Sequence, residues 1–379
     1  MWRVLLISFL SSFTLGGLGL AVPLVLLEKN ISLTEIGAIM SILPLVFLFV
    51  RILFAALADQ VGWSPMFLVN WISLLTATTI YLLASSPIDF AIGKVLEGIS
   101  VSAYWAVSRT ATYLLSPSRE AGEATKVIGV VVLGGALGAA ITGAVMSKFG
   151  AHSAFSPLII ASVLLIYPTI ALWNVGTKRS KINLTQILGA LDPRGKGRDF
   201  WNVSIIMAIN SLARYPLLSL VLPVFMSKEM GYDYMAIGMA FMAYNIATAL
   251  TVFLTMKLPL SFIRAVIQSV IYFIACVALP SSKILLPLYI TGLAIASGLG
   301  TRFYETIIAE VSKHRTKTLS IDIGILHIPM RITEFSSLIL FSIIVESLGY
   351  QVTLILSGLA YMAFSILSYI QLKKRSRIS

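Results

Sequence analysis

Ten ionisable side chains interrupt otherwise apolar runs: Arg51, Lys94, Glu97, Arg109, Arg214, Arg302, Glu305, His327, Arg331 and Glu334. Three of them share the stretch GILHIPMRITEFSSLI, residues 324–339. His327, Arg331 and Glu334 are spaced by four and then three residues, which puts them on one helical face. An acid kept away from water holds its proton, and a guanidinium brought beside it releases that proton. An element that moves such a pair apart and together can therefore load and unload protons. Glu334, Glu97, Glu305 and His327 are the candidates for that chemistry. The plainer reading is that Arg331 and Glu334 only neutralise each other. Arg214, in AINSLARYPLL, is a different case: it lies mid-run with no acid in the same run. Such a cation either meets an anionic ligand or bridges Glu334 or Glu97. Pro216, two residues on, lacks an N–H and leaves a carbonyl of the preceding turn without its donor. Lys94 and Glu97 are three apart and can pair locally. Arg51, Arg109, Arg302 and Glu305 lie toward one end of their runs, where arginine reaches water or an acid.

The elements that carry these residues must be membrane helices. The chain has 379 residues, 58% hydrophobic and only 12% charged, with a mean hydropathy of +0.93. A soluble domain carries about 25% charged residues. Apolar runs occupy 4–27, 35–57, 66–85, 88–114, 125–147, 155–174, 200–226, 235–256, 262–280, 284–309, 319–345 and 351–371. Each is close to the roughly 20 residues that cross a bilayer's hydrocarbon core. The expectation is an all-α integral membrane protein of twelve transmembrane helices, with the first run retained rather than cleaved. Residues 175–199 form the longest polar interruption and split the spans six and six. The expected organisation is a bundle over 1–174, a basic cytoplasmic linker over 175–199, and a second bundle over 200–379 ending in a basic tail.

Charge distribution orients the spans. With both termini cytoplasmic, the cytoplasmic segments hold eighteen Lys and Arg and the outer loops four: Lys29, Lys148, Lys228 and Lys283. That bias is the positive-inside pattern, and it accounts for the net charge of +12 without any nucleic-acid partner. The halves also repeat. VPLVLLEKNISLTEIG ends at Gly37 and LPVFMSKEMGYDYMAIG at Gly238, about 200 residues later.

Three short motifs follow. The segment AALADQVGWSP, residues 55–65, resembles the loop signature G-x-L-x-D-R-x-G-R-R of the major facilitator superfamily: Leu57, Asp59 and Gly62 match. Ala55 replaces its first glycine, and Gln60, Trp63 and Ser64 replace its basic residues. GKVLEGI, residues 93–99, is similar to the family's R-x-x-x-G element, with Lys94 in the arginine position and Gly98 matching. GGALGAAITG, residues 134–143, has the spacing of its antiporter glycine motif, but Ala139 stands at the proline and Thr142 at one glycine. Small residues four apart also let two helices approach closely. Efflux members keep that proline, so its loss argues against efflux.

The resemblance, to a divergent prokaryotic-type member, spans the whole chain. It implies two six-helix bundles that rock about a midplane site, as a monomer in the cell (inner) membrane. In that family the first helix of each three-helix repeat lines the cavity, which places Arg214 on the transport path. The implied substrate contacts are Arg214, Arg331, Asn210, Tyr215, Tyr104 and Tyr304, with Asp59, Gly62 and Lys94 in gating. Amides inside spans are few (Asn70, Asn210, Asn245 and Gln268), which argues against a sugar. Aromatics are plentiful, and a few fixed cations among them suit a small organic anion or amphipathic compound. The implied function is a proton-coupled secondary transporter. The alternatives are an uncoupled facilitator, a multidrug-type proton antiporter and, remotely, a non-transporting receptor. No cofactor is expected. The three histidines lack metal-ligand spacing, and no phosphate-binding G-x-x-x-x-G-K-[ST] segment occurs. A lone Cys276 forms no disulfide within the chain.

Overall fold

The computed structural model describes residues 1–115, 120–177, 196–312 and 324–376. Among them the regular structure is helical, with one isolated bridge between Gly62 and Thr177. The helices are α1 (Trp2–Glu28), α2 (Leu33–Val61), α3 (Ser64–Leu83), α4 (Pro87–Leu115), α5 (Glu120–Phe149), α6 (Ala151–Gly176), α7 (Arg198–Lys228), α8 (Tyr234–Thr255), α9 (Phe262–Ala278), α10 (Leu286–Ser312), α11 (Ile328–Leu348) and α12 (Tyr350–Ser376). Eleven of these regions are long and apolar enough to cross a membrane. The exception is α10, 27 residues long, which carries Arg302, Glu305 and Glu310. Many large apolar side chains face outward, Leu254 at 81% exposure and Ile284 at 88% among them. Water would not tolerate that surface; lipid does. The start of the expected 319–345 span and most of the expected linker lie outside the described residues. So do Arg119, Lys313, Arg315, Lys317 and Arg377 of the charge count.

Two helix ends differ from the sequence expectation. α2 runs to Val61, so Asp59 and Gln60 sit in its last turn rather than in a loop. Nothing between Ala55 and Val61 breaks a helix. The turn waits for Gly62, at φ 94°, whose N–H closes on Ala58 O at 2.9 Å. A proline inside the apolar stretch 324–339 would kink a helix that ran straight through it at Pro329. Instead it opens α11, where a missing N–H costs little, and the preceding helical turn is interrupted at His327.

The chain divides into two compact units. The first is Met1–Asp192 with Tyr232–Met242; the second is Pro193–Gly231 with Ala243–Ser379. In the first, α1 packs along α5 and α4 packs along α2 and α3. In the second, α7 packs along α11 and α12, and α9 along α10 and α12. The repeat suggested by sequence recurs in local geometry. Gly150 (φ 89°) joins α5 to α6, and Gly349 (φ 85°) joins α11 to α12. Each gives a one-residue reversal that a side chain would strain. A Cβ on Gly98 would lie 2.8 Å from Val46 of α2, and one on Gly298 would lie 2.7 Å from Thr248 O of α8. The glycine run of α5 serves close approach as well: a Cβ on Gly138 would sit 2.0 Å from Phe13 O, and one on Gly134 2.6 Å from Phe9 O. In a bilayer such backbone contact, together with interhelical hydrogen bonds, replaces the hydrophobic effect as the source of association.

Candidate functional site

Within the second unit, a cavity of about 390 Å³ is lined by Asn210, Ser211, Arg214, Tyr215, Leu218 and Ser219 of α7, by Thr301, Tyr304 and Glu305 of α10, and by Met330 and Glu334 of α11. Six residues singled out from sequence therefore meet in one place: Asn210, Arg214, Tyr215, Tyr304, Glu305 and Glu334. α7 can present so many because Asn210, Arg214 and Leu218 follow one helical face at intervals of four. The helix widens just beyond Pro216 into a π turn over Leu217–Val221. Such turns follow where the regular hydrogen-bond ladder is broken. The Ala213 carbonyl leaves that ladder and accepts from Ser357 Oγ at 2.6 Å and Tyr272 Oη at 3.3 Å. Side chains of α9 and α12 thus satisfy a backbone group that lipid could not.

The charges in this cavity are unequal in their partners. Glu334 is buried, accepts from Ser211 Oγ at 2.7 Å, and forms an ion pair with Arg331 one turn earlier on α11. Arg214 has no carboxylate within ion-pair distance among the described residues; its contact is Tyr244 Oη, 3.4 Å from Nη2. Tyr244 in turn donates to Ser297 Oγ at 2.9 Å. The bridge from Arg214 to Glu334, open on sequence grounds, does not form. Asn210, 9% exposed, leaves its Oδ1 without a hydrogen-bond partner, and so does Nε of Arg214. Tyr304 rests its hydroxyl on Met330 Sδ at 3.2 Å. Glu305 is at the exposed margin. A cavity that presents a cation with no carboxylate in ion-pair reach can take up an anion. A paired acid beside it can exchange a proton when its partner moves.

The other candidates lie elsewhere. His327 precedes the first turn of α11, and its carbonyl accepts from Arg331 N at 3.0 Å; it does not line the cavity. Tyr104 belongs to the first unit, where its hydroxyl donates to Ser8 at 2.8 Å and its ring packs against Phe67 and Trp105. Lys94 and Glu97 pair at 2.8 Å with 1% and 2% of their surfaces exposed, and Tyr81 donates to the same Glu97 oxygen at 2.9 Å. Asp59 and Gly62 end α2; the adjoining Ser64 donates to Leu172 O at 2.7 Å, which ties the start of α3 to α6. Ser211 and Thr301 were not anticipated. Ser211 could have been, since it lies three residues before Arg214 on the same face; Thr301 carries no signal that separates it from other span hydroxyls.

The described helices make a multi-pass membrane protein with a charged cavity inside one of its units. The family model of the Major Facilitator Superfamily matches residues 4–320, and the chain belongs to that family. Membership makes it a transporter rather than an enzyme. Solved structures agree on the fold. A bacterial homologue of the human drug peptide transporters PepT1 and PepT2 aligns at TM-score 0.74 and 12% identity, covering 100% of this chain and 98% of that one. A structure from work on proton dependent oligopeptide transporters gives TM-score 0.75 at 11% identity, covering 99% of each chain. A bacterial homolog of the human lysosomal transporter Spinster, inward-facing and unoccupied, gives 0.71 at 15% identity, with 99% and 96% covered. No curated protein matches the chain by sequence.

Proposed function

We propose that the protein is a proton-coupled secondary transporter for a small organic anion or amphipathic compound. It works by alternating access between bundles at 1–174 and 200–379, joined by the 175–199 linker, with both termini cytoplasmic. The observation that carries the reading is the cavity in which Arg214 forms no ion pair among the described residues while Glu334 keeps Arg331. The substrate's anionic group is held at Arg214, with Asn210, Tyr215 and Tyr304 around its body. Glu334 takes a proton when Arg331 draws away and gives it up when Arg331 returns. Asp59, Gly62 and Lys94 act on the transition between states, and Arg331 can lend its charge to substrate once released from Glu334.

An uncoupled facilitator, in which Glu334 serves only to neutralise Arg331, is the competing reading. Reconstitution separates the two. A thermal-shift screen of organic anions supplies the probe, and its uptake into proteoliposomes is measured with and without an imposed pH gradient. Coupling requires the gradient to accelerate uptake in the wild type. It also requires Glu334→Gln to remove that acceleration while one-for-one exchange persists. Equal wild-type rates under both conditions establish the facilitator instead.

A further inference from the structure

A second basic cluster in the second unit plays no part in the cavity. At the C-terminal end of α8, two guanidiniums converge on the same carbonyls. Arg264 donates through Nη1 to Thr255 O at 3.3 Å and to Leu258 O at 3.2 Å, and through Nη2 to Thr255 Oγ1 at 2.9 Å. Arg302 donates through Nη1 to Thr255 O at 2.8 Å and to Leu258 O. Lys257 is exposed on the segment between them. Among the described residues, none of these three cations forms an ion pair with a carboxylate.

Capping explains part of this arrangement but not its charge. A helix C-terminus presents about half a negative charge. Three full positive charges stand against it. Arg264 is 7% exposed with its Nε buried and unpartnered, so water does little for it. Among the described residues Arg302 commits only Nη1, leaving Nη2 and Nε without a protein partner. That planar edge matches two oxygens of a phosphate group. The rim is apolar and outward-facing, with Phe262 52% and Ile263 70% exposed. The equivalent stretch after α2, residues 55–66, holds Asp59 and no cation, so the cluster is not a general feature of the repeat.

We infer that this cluster is a binding site for the phosphate headgroup of an anionic phospholipid. Arg302 and Lys257 contact the phosphate, Arg264 supplies charge from behind, and the acyl chains run along Phe262 and Ile263. A phosphate group is the shared chemistry; the apolar rim selects the lipid over the free ion. The inference is independent of the transported substrate.

Native mass spectrometry of delipidated protein, mixed with equal amounts of phosphatidylglycerol and phosphatidylcholine, tests it. The wild type is expected to retain phosphatidylglycerol preferentially. Lys257→Gln and Arg302→Gln are each expected to cut that preference about fivefold, since a cation at an anionic surface contributes a factor of this order. Lys257 makes no hydrogen bond within the described protein, so its variant decides the matter alone should Arg302→Gln fail to fold. Equal retention of both lipids, or an unchanged preference in Lys257→Gln, overturns the site. Millimolar inorganic phosphate provides the second arm. Failure to displace phosphatidylglycerol supports the lipid, and full displacement overturns the lipid assignment in favour of a free phosphate.

Discussion

The interiors of the two units use related positions to opposite ends. In the first, the polar groups at the centre of α3 and α4 are paired. Lys94, Glu97 and Tyr81 satisfy one another, and Asn70 receives Ser100 at 2.8 Å and donates to Ser11 at 3.0 Å. In the second, the positions 200 residues later carry Ser211 for Ser11, Arg214 for Thr14 and Tyr304 for Tyr104. There the groups surround a cavity, and Arg214 and Asn210 are left with unmet bonds. A repeat supplies the same helix contacts twice, as Gly98 and Gly298 show. What it packs into them is free to differ. The Lys94–Glu97 cluster ties one unit together, and the groups around the cavity of the other keep unmet bonds.

The largest effect should come from breaking the closed cluster. Glu97→Ala strands Lys94 in a buried site, and leaving one ion of such a pair costs about 3–5 kcal/mol. Thermal unfolding in detergent should show a large drop, with much of it restored in Lys94→Met combined with Glu97→Leu. If Glu97→Ala unfolds like the wild type, the first unit is not the cohesive one. Next comes Arg214→Ala. Because Arg214 forms no ion pair among the described residues, the protein should fold normally yet lose substrate-dependent thermal stabilisation. A charge-assisted hydrogen bond of about 1.5–3 kcal/mol corresponds to roughly 10- to 150-fold in affinity. Retained binding would remove the contrast between the units. Ser211→Ala should be the mildest, removing one hydrogen bond to Glu334 at a cost of about 0.6 kcal/mol. Its readout is the pH dependence of transport, which should shift while substrate affinity stays within twofold. An unshifted pH profile would leave Glu334 with a structural task alone.

Much of the fold was legible in the sequence because bilayer thickness imposes a length on each span, and α1 to α10 and α12 fall near where the apolar runs lie. Ends were less legible. Asp59 reads as a loop acid by motif, yet a helix continues until something stops it, and here that is Gly62. Pro329 reads as a kink from the run of apolar residues around it, but the break at His327 turns it into a helix opener. The candidate site was legible by kind: an ionised group in an apolar run is costly enough to stand out, so Arg214, Glu334, Lys94 and Glu97 were all visible. Tyr104 was not distinguishable from Tyr304, since an aromatic on an inner helix face reads alike whether it packs or lines a cavity.

The residue types and their spacing were enough to establish a membrane-spanning helical protein with repeated halves and a short roster of functional charges, because those follow from transfer energies and helix periodicity along the chain. The neutralising pairs three residues apart were legible as well, because neighbours on one helical face meet whatever the rest of the fold does. Lys94 found Glu97 and Arg331 found Glu334 within single helices. That Arg214 meets no carboxylate among the described residues was decided only by the tertiary structure, because the distances from its helix to its neighbours are set by packing, which no spacing along the chain encodes.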